Sequence, residues 1–218
     1  MREYKKYFIE FLIDNKALRF GEFTLKSGRI SPYFLNTGSL YNGKSINKLG
    51  EFYAATIIDN IKDDYNVVFG PAYKGIPLSI TTINALYIKY KINVNYSFNR
   101  KENKDHGDKG ILVGKKLSKN DNLILVDDVI TAGTAIRESI DILKREGDPS
   151  LKAVIISVDR MEKGTGEKSA IQELTDTTGI KFHPIVNINE IIMYLKENKI
   201  ISNEQLDMMF KYREKYGV

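Results

Sequence analysis

A chain of 218 residues, 42% hydrophobic and 28% charged, is long enough for one good-sized core, and no stretch of it approaches the roughly 18 apolar residues that a membrane helix needs. It has no cysteine, which excludes disulfides, zinc–thiolate sites and a thiol nucleophile, and nothing addresses it away from the cytoplasm. The formal net charge of +5 suits anionic partners, but Lys and Arg are interspersed with Asp and Glu, so a nucleic-acid-binding stripe is not indicated.

In chain order, residues 4–16 predict an amphipathic helix with Tyr7, Phe8, Phe11 and Leu12 on one face. Glu10 and Asp14 interrupt its apolar part, which argues against a signal peptide. "EFTLKSGRISPYFLNT" predicts two short strands around a Ser-Gly turn, and a helix follows over about 46–61. Then comes an alternation: strand "NVVFG", helix "IPLSITTINALYIKY", extended "INVNYSF" and the buried strand "NLILV". A helix over 134–146 places Ile136, Ile140 and Leu143 along one face. Strand "KAVIISV", a helix near 169–177, strand "KFHPIV" and terminal packing helices from Asn189 complete the pattern. Short apolar runs alternating with helices predict an α/β fold with a mainly parallel central sheet flanked by helices.

"GSLYNGKS", residues 38–45, matches the nucleotide-binding pattern G-x-x-x-x-G-K-S. The segment before it starts Ser31-Pro32 and ends Asn36-Thr37, too short and polar for a central parallel strand. Leu40 and Tyr41 also occupy positions where backbone N–H groups should wrap a phosphate. The simpler reading is a turn followed by a helix start at Gly43-Lys44-Ser45.

"LILVDDVITAGTAIRESI", residues 123–140, carries more chemistry. An apolar run ends in two adjacent carboxylates, passes through a loop of small residues and becomes a helix. Ligands of open α/β sheets sit beyond the carboxyl ends of the strands, where Asp127 and Asp128 fall if "LILV" is a central strand. Gly133 permits close backbone approach, and Thr131 and Thr134 add hydroxyl donors. The unpaired N–H groups of a helix start attract anions. The stretch therefore offers a phosphate cradle beside two acceptors for sugar hydroxyls or a metal ion. The plainer alternative is a strand, a capping Thr134 and solvated acids.

This stretch resembles the ribose-phosphate signature of type I phosphoribosyltransferases. The resemblance implies that Asp127 and Asp128 engage the ribose hydroxyls of phosphoribosyl pyrophosphate (PRPP). The turn of Val129, Ile130, Thr131, Ala132, Gly133, Thr134 and Ala135 would hold its 5′-phosphate. "FNRKENKDHGDKG", residues 98–110, reads by composition as a mobile polar loop between extended segments. It is similar to the catalytic loop of orotate phosphoribosyltransferases, which implies that Arg100, Lys101, Lys104 and His106 contact pyrophosphate. Lys101 would act across the interface of a homodimer.

Three further stretches carry the same likeness. In "FTLKSGRISPYF" the resemblance gives Lys26 contacts to PRPP and orotate, and sets Phe34 and Leu35 against the orotate ring; the family often has two aromatics at that pair, so ring stacking at Leu35 is not implied. In "GPAYKGIPL" it assigns Tyr73 and Lys74 to the pyrophosphate side. In "SVDRME" it assigns Arg160 to orotate, whose carboxylate suits a guanidinium fork, and Thr131 joins that set. The implied fold is a single domain over 1–218 with a small N-terminal hood at about 18–40 and a core over about 64–187. The implied reaction, with Mg2+ held mainly by PRPP oxygens and water, joins orotate to PRPP and releases pyrophosphate, with inversion at the anomeric carbon. Two rivals share the acid motif: a phosphoribosyltransferase for another base, and a PRPP-sensing or RNA-binding regulator, which would have little use for Arg100, Lys101, Lys104 and His106 together.

Overall fold

A computed structural model describes the whole chain except Lys26, residues 105–109, Thr131, Ala132 and Thr165, and the side chains of Asn103 and Lys104. Helix α1 (Glu3–Asp14) leads into an antiparallel pair, β1 (Leu18–Thr24) and β2 (Ile30–Leu35). Helix α2 (Gly43–Asn60) follows, then β3 (Val67–Gly70), α3 (Gly75–Tyr90), β4 (Asn95–Lys104), β5 (Gly110–Gly114) and β6 (Asn122–Asp127). Helix α4 (Thr134–Arg145), β7 (Ser150–Asp159), α5 (Ala170–Thr178), β8 (Lys181–Asn187), α6 (Ile188–Glu197) and α7 (Asn203–Tyr216) complete the order.

The main sheet has six strands in the order β5-β4-β3-β6-β7-β8. All neighbours are parallel except β4 and β5, which pair antiparallel at one edge. Both faces are covered, so the central strands are apolar throughout. Val68, Ile124, Val126 and Ile155 point into one core with α1, α2, α3, α6 and α7. Their alternates Val67, Phe69, Leu123, Leu125, Val154 and Ile156 point into a second core with Ile136 and Leu143 of α4 and Leu174 of α5.

Connections from β3 run one way across the sheet and those from β6 run the other. The order reverses between these two strands, and the crevice beyond their carboxyl ends is where this class of sheet binds ligands.

Two local expectations change. In α1 the buried residues are Phe8, Ile9 and Leu12, while Tyr7 lies exposed and donates to Glu3 Oε1 at 2.9 Å. The phenol is satisfied at the surface, so the aliphatic Ile9 turns inward instead. The stretch read as a loop from residue 98 continues as strand to Lys104, paired with β5 at Phe98–Val113, Asn99–Leu112 and Lys104–Gly110 with an irregularity between the last two. An edge ladder is held by backbone groups, so polar side chains do not prevent it. The plainer alternative of a capping Thr134 is not seen: α4 starts after Gly133, whose φ of 75° suits a residue without a β-carbon, and among the described residues no side chain caps the helix. The segment at residues 38–45 contains a short 3-10 turn (Thr37–Ser39) and then the capped start of α2. Asn42 accepts from Ser45 N–H at 2.9 Å while Ser45 Oγ accepts from Asn42 N–H at 3.3 Å, as a turn before a helix requires.

Candidate active site

Strand β6 ends at Asp127, and Asp128 begins the turn toward α4. Asp127 Oδ1 accepts the N–H of Asp128 at 2.8 Å. Burial, reinforced by the charge of Asp128, raises the Asp127 carboxyl to about 6, against the lowering effects of that N–H and of Lys74. Asp128 is buried and held on every side. Its Oδ2 accepts from Lys74 Nζ at 2.7 Å, while Ser157 Oγ of β7 donates toward its carbonyl at 3.0 Å and its Oδ1 at 3.3 Å. From α2, Tyr53 OH donates to the carbonyl of Asp127 at 2.6 Å; burial pushes this phenol well above its usual range, so it stays a donor.

Lys74 arrives from the other side of the crevice, on the turn between β3 and α3, and its side chain is largely exposed. This turn fits because Gly70 and Gly75 face each other without side chains: a β-carbon on Gly70 would come within 2.0 Å of the Gly75 carbonyl. The Ala72–Tyr73 peptide in this turn is cis, and Tyr73 is exposed. Buried Asn99 of β4 ties the turn down, accepting from Ala72 N–H at 3.1 Å and donating to the Arg100 carbonyl at 3.1 Å. Next along β4, Arg100 donates to the Gly110 carbonyl at 3.0 Å, and Lys101 lies 3.9 Å from Glu138 of α4 with both side chains about half exposed. Across from the acids, the first N–H groups of α4 lack intrahelical acceptors. The Gly133 start is pressed against α5, where a β-carbon would meet Leu174 at 2.9 Å. In the turn itself Val129 and Ile130 are partly buried, with Ile130 against the second core, while Thr134 and Ala135 are exposed.

A second cluster lies after β7, three residues past Ser157 and so about 10 Å further along the strand direction. Arg160 donates twice to Glu162 Oε1, from Nε at 3.0 Å and Nη2 at 2.6 Å, and Nη2 also reaches Ser31 Oγ at 3.4 Å. Its guanidinium lies 4.4 Å from the centre of the Tyr33 ring, and Tyr33 OH donates to the same Glu162 oxygen at 2.9 Å. Phe34 faces away from Tyr33, as alternation along β2 requires, and stacks on Phe23 at 5.4 Å with Arg19 over both rings. Leu35 packs against the first core.

Of the residues singled out from sequence, Lys74, Asp127 and Asp128 meet in one place. Arg100 and Lys101 lie on the strand joined to the Lys74 turn by Asn99. Arg160 and Phe34 border the small N-terminal sheet on opposite faces of β2. Lys26, His106, Thr131, Ala132 and the side chain of Lys104 lie outside the described residues. Sequence reading missed Asn99, Ser157 and Tyr53. Asn99 and Ser157 sit in motifs already singled out, but their importance comes from partners 27 and 29 residues away. Tyr53 carries no local signal at all.

Comparison with known proteins agrees with this geometry. A phosphoribosyl transferase domain model matches residues 36–183, spanning α2 through the start of β8. Orotate phosphoribosyltransferases from Clostridium acetobutylicum and Clostridium beijerinckii are 48% and 50% identical to the chain, each covering 100% of it, with 100% and 99% of their own lengths matched. A crystal structure of orotate phosphoribosyltransferase from Francisella tularensis superimposes with a TM-score of 0.88 at 41% identity, over 97% of this chain and 100% of that one. With the family model matching more than half of the chain and relatives near 50% identity over its full length, the chain belongs to the orotate phosphoribosyltransferase family.

Proposed function

We propose that the protein transfers the 5-phosphoribosyl group from PRPP to orotate, forming orotidine 5′-monophosphate and releasing pyrophosphate in pyrimidine biosynthesis. The observation that carries this reading is the meeting of Lys74 with Asp128, beside Asp127, across the reversal point of the sheet. A cation from one strand end and acids from the next suit a sugar bearing a diphosphate on its anomeric carbon.

Inversion at C1 with an oxocarbenium-like transition state needs no covalent residue. The protein supplies position and charge. As the anomeric bond opens, negative charge grows on the diphosphate, where Lys74, Arg100, Lys104, His106 and the partner subunit's Lys101 meet it, with Lys26 and Tyr73 lining the approach. Asp127 and Asp128 accept from the ribose hydroxyls and place negative potential beside the cationic ring. The turn over residues 129–135 and the start of α4 take the 5′-phosphate. Phe34, Leu35, Thr131 and Arg160 bound the orotate side. Each hydrogen bond to a charged group contributes about 1.5–3 kcal/mol, so losing one that acts in the transition state costs about one to two powers of ten in rate.

Mg2+ belongs to this reading as a charge-neutralising partner of the diphosphate. No three His, Asp or Glu side chains converge among the described residues, and Asp128 is already held by Lys74 and Ser157. That donor set fits an ion held mainly by substrate oxygens and water, with the acid pair nearby. The chain is read as one catalytic domain with a hood over about 18–40 and a core over about 64–187, acting in the cytoplasm as a homodimer with shared sites. Among the described residues no helix is long and apolar enough to cross a membrane.

The test is loss of orotate absorbance when PRPP and Mg2+ are added to the purified protein; unchanged absorbance refutes the activity. Mixed Lys101→Ala and Asp128→Asn proteins recover part of the activity if sites are shared, and stay inactive after confirmed subunit exchange if they are not.

A further inference from the structure

We propose that Glu162 is a positioning residue for orotate: together with Tyr33 it fixes the plane of the Arg160 guanidinium, and thereby the direction from which the pyrimidine carboxylate is met. This rests on the reading of Arg160 as the group that receives that carboxylate.

Three observations carry it. Glu162 Oε1 alone accepts from Nε and Nη2 of Arg160 and from Tyr33 OH, so one oxygen is the hub of three donors. Two N–H groups of one planar cation on a single acceptor leave the guanidinium little freedom to rotate. The Tyr33 ring closes one face of the cation at 4.4 Å, which removes the remaining freedom to tilt. The hub is itself anchored. Glu162 Oε2 lies 3.7 Å from Arg29, and Arg29 donates to the Lys163 carbonyl at 3.0 Å and stacks over Tyr216 of α7 at 4.8 Å. Arg160 and Glu162 side chains are only 11% and 14% exposed, so solvent does little to loosen the pair. The carboxylate is therefore a framework element shared by β2, the segment after β7, and α7.

A long, flexible cation costs ordering entropy when it must be arranged around each ligand, and that cost is removed when the protein holds it beforehand. The Nε–Nη2 edge is spent on Glu162, so the ligand must approach another part of the guanidinium. This geometric restriction selects a planar ring with its carboxylate at one fixed position.

The experiment measures KM for orotate and for PRPP separately in Glu162→Ala, Glu162→Gln, Tyr33→Phe and Arg160→Ala. Positioning predicts that Glu162→Ala raises KM for orotate by about tenfold, the order expected for charged hydrogen bonds, with KM for PRPP within about twofold. Glu162→Gln keeps an acceptor oxygen of the same reach and restores most of the orotate affinity. Should Glu162→Ala not fold, Tyr33→Phe carries the test, with a smaller rise confined to orotate. The proposal is overturned if KM for orotate does not move, if Gln and Ala variants are impaired alike, or if both KM values rise together as in a merely structural defect. Arg160→Ala separates the two layers. If it raises KM for orotate while the Glu162 and Tyr33 variants do not, positioning alone is wrong; if it has no effect on orotate, the role of Arg160 fails with it.

Discussion

Strand β6 is flanked by buried acids at both ends, and the two ends are built in opposite ways. Just before it, Asp121 is 2% exposed and surrounded by donors: Lys115, Asn66, and both the backbone and hydroxyl of Ser118. Burial alone would raise its carboxyl, but these hydrogen bonds outweigh it and bring it down to about 2. At the far end, burial and the neighbouring Asp128 push Asp127 up to about 6. One carboxylate is satisfied by the fold. The other, among the described residues, accepts only the N–H of Asp128, at the end where the sheet reverses direction. A strand end that stabilises the protein answers its own charge; the end proposed to take the ligand answers its charge less fully.

Substitutions at the two ends should therefore separate activity from stability. The largest effect belongs to Lys74→Ala, which should lower kcat/KM for PRPP by about ten- to a hundredfold while the melting temperature stays within about 2 °C, because the lysine is exposed and its partner keeps Ser157. A melting shift as large as the activity loss would make the pair structural. Asp121→Asn should do the reverse, costing about 1–3 kcal/mol, or roughly 3–10 °C by calorimetry, with steady-state kinetics unchanged. Reduced kcat would show that the two ends are coupled through the strand.

The smallest effect sharpens the contrast through pH. Folded Asp127 keeps its proton to about pH 6, whereas the unfolded chain releases it near its ordinary value of 3.8. The folded state thus binds more protons between these values, and stability falls as pH rises through them. Asp127→Asn removes that loss, so its melting temperature relative to wild type should climb between pH 4 and pH 7. Asp121 has the opposite sign. Its contribution is complete above about pH 4 and disappears as pH falls toward 2, so the Asp121→Asn defect should shrink over that window. Parallel pH profiles for the two variants would refute the contrast.

Both acids lie in one legible stretch of sequence, yet only one was singled out. "LILVDD" followed by small residues and a helix start announces a ligand turn, because strand end, glycine and helix N-terminus are all local features. Asp121 sits in "SKNDN", which reads as a polar turn. Its partner Asn66 is 55 positions away, brought alongside by β3 and β6 pairing. The same limit hid Asn99, whose neighbours Arg100 and Lys101 were singled out while the strand carrying them was read as loop. Polar side chains mark a surface, but the ladder between β4 and the edge strand β5 is made by backbone hydrogen bonds that leave no side-chain signature. The turn at residues 38–45 shows the converse. A nucleotide-binding pattern was discounted on the local chemistry of its flanks, and the capping of α2 by Asn42 accounts for it.

By itself the sequence determined the order of strands and helices, the parallel class of the sheet and the acid turn at the end of β6, since periodicity, capping and glycine placement act within a few residues of one another. Tertiary structure alone decided that Lys74 reaches Asp128, that Tyr53 and Ser157 hold the acid backbone, and that Glu162 and Tyr33 grip Arg160. These contacts join residues brought together by strand order and by the faces on which helices and strands pack, and chain-local chemistry carries no record of that arrangement.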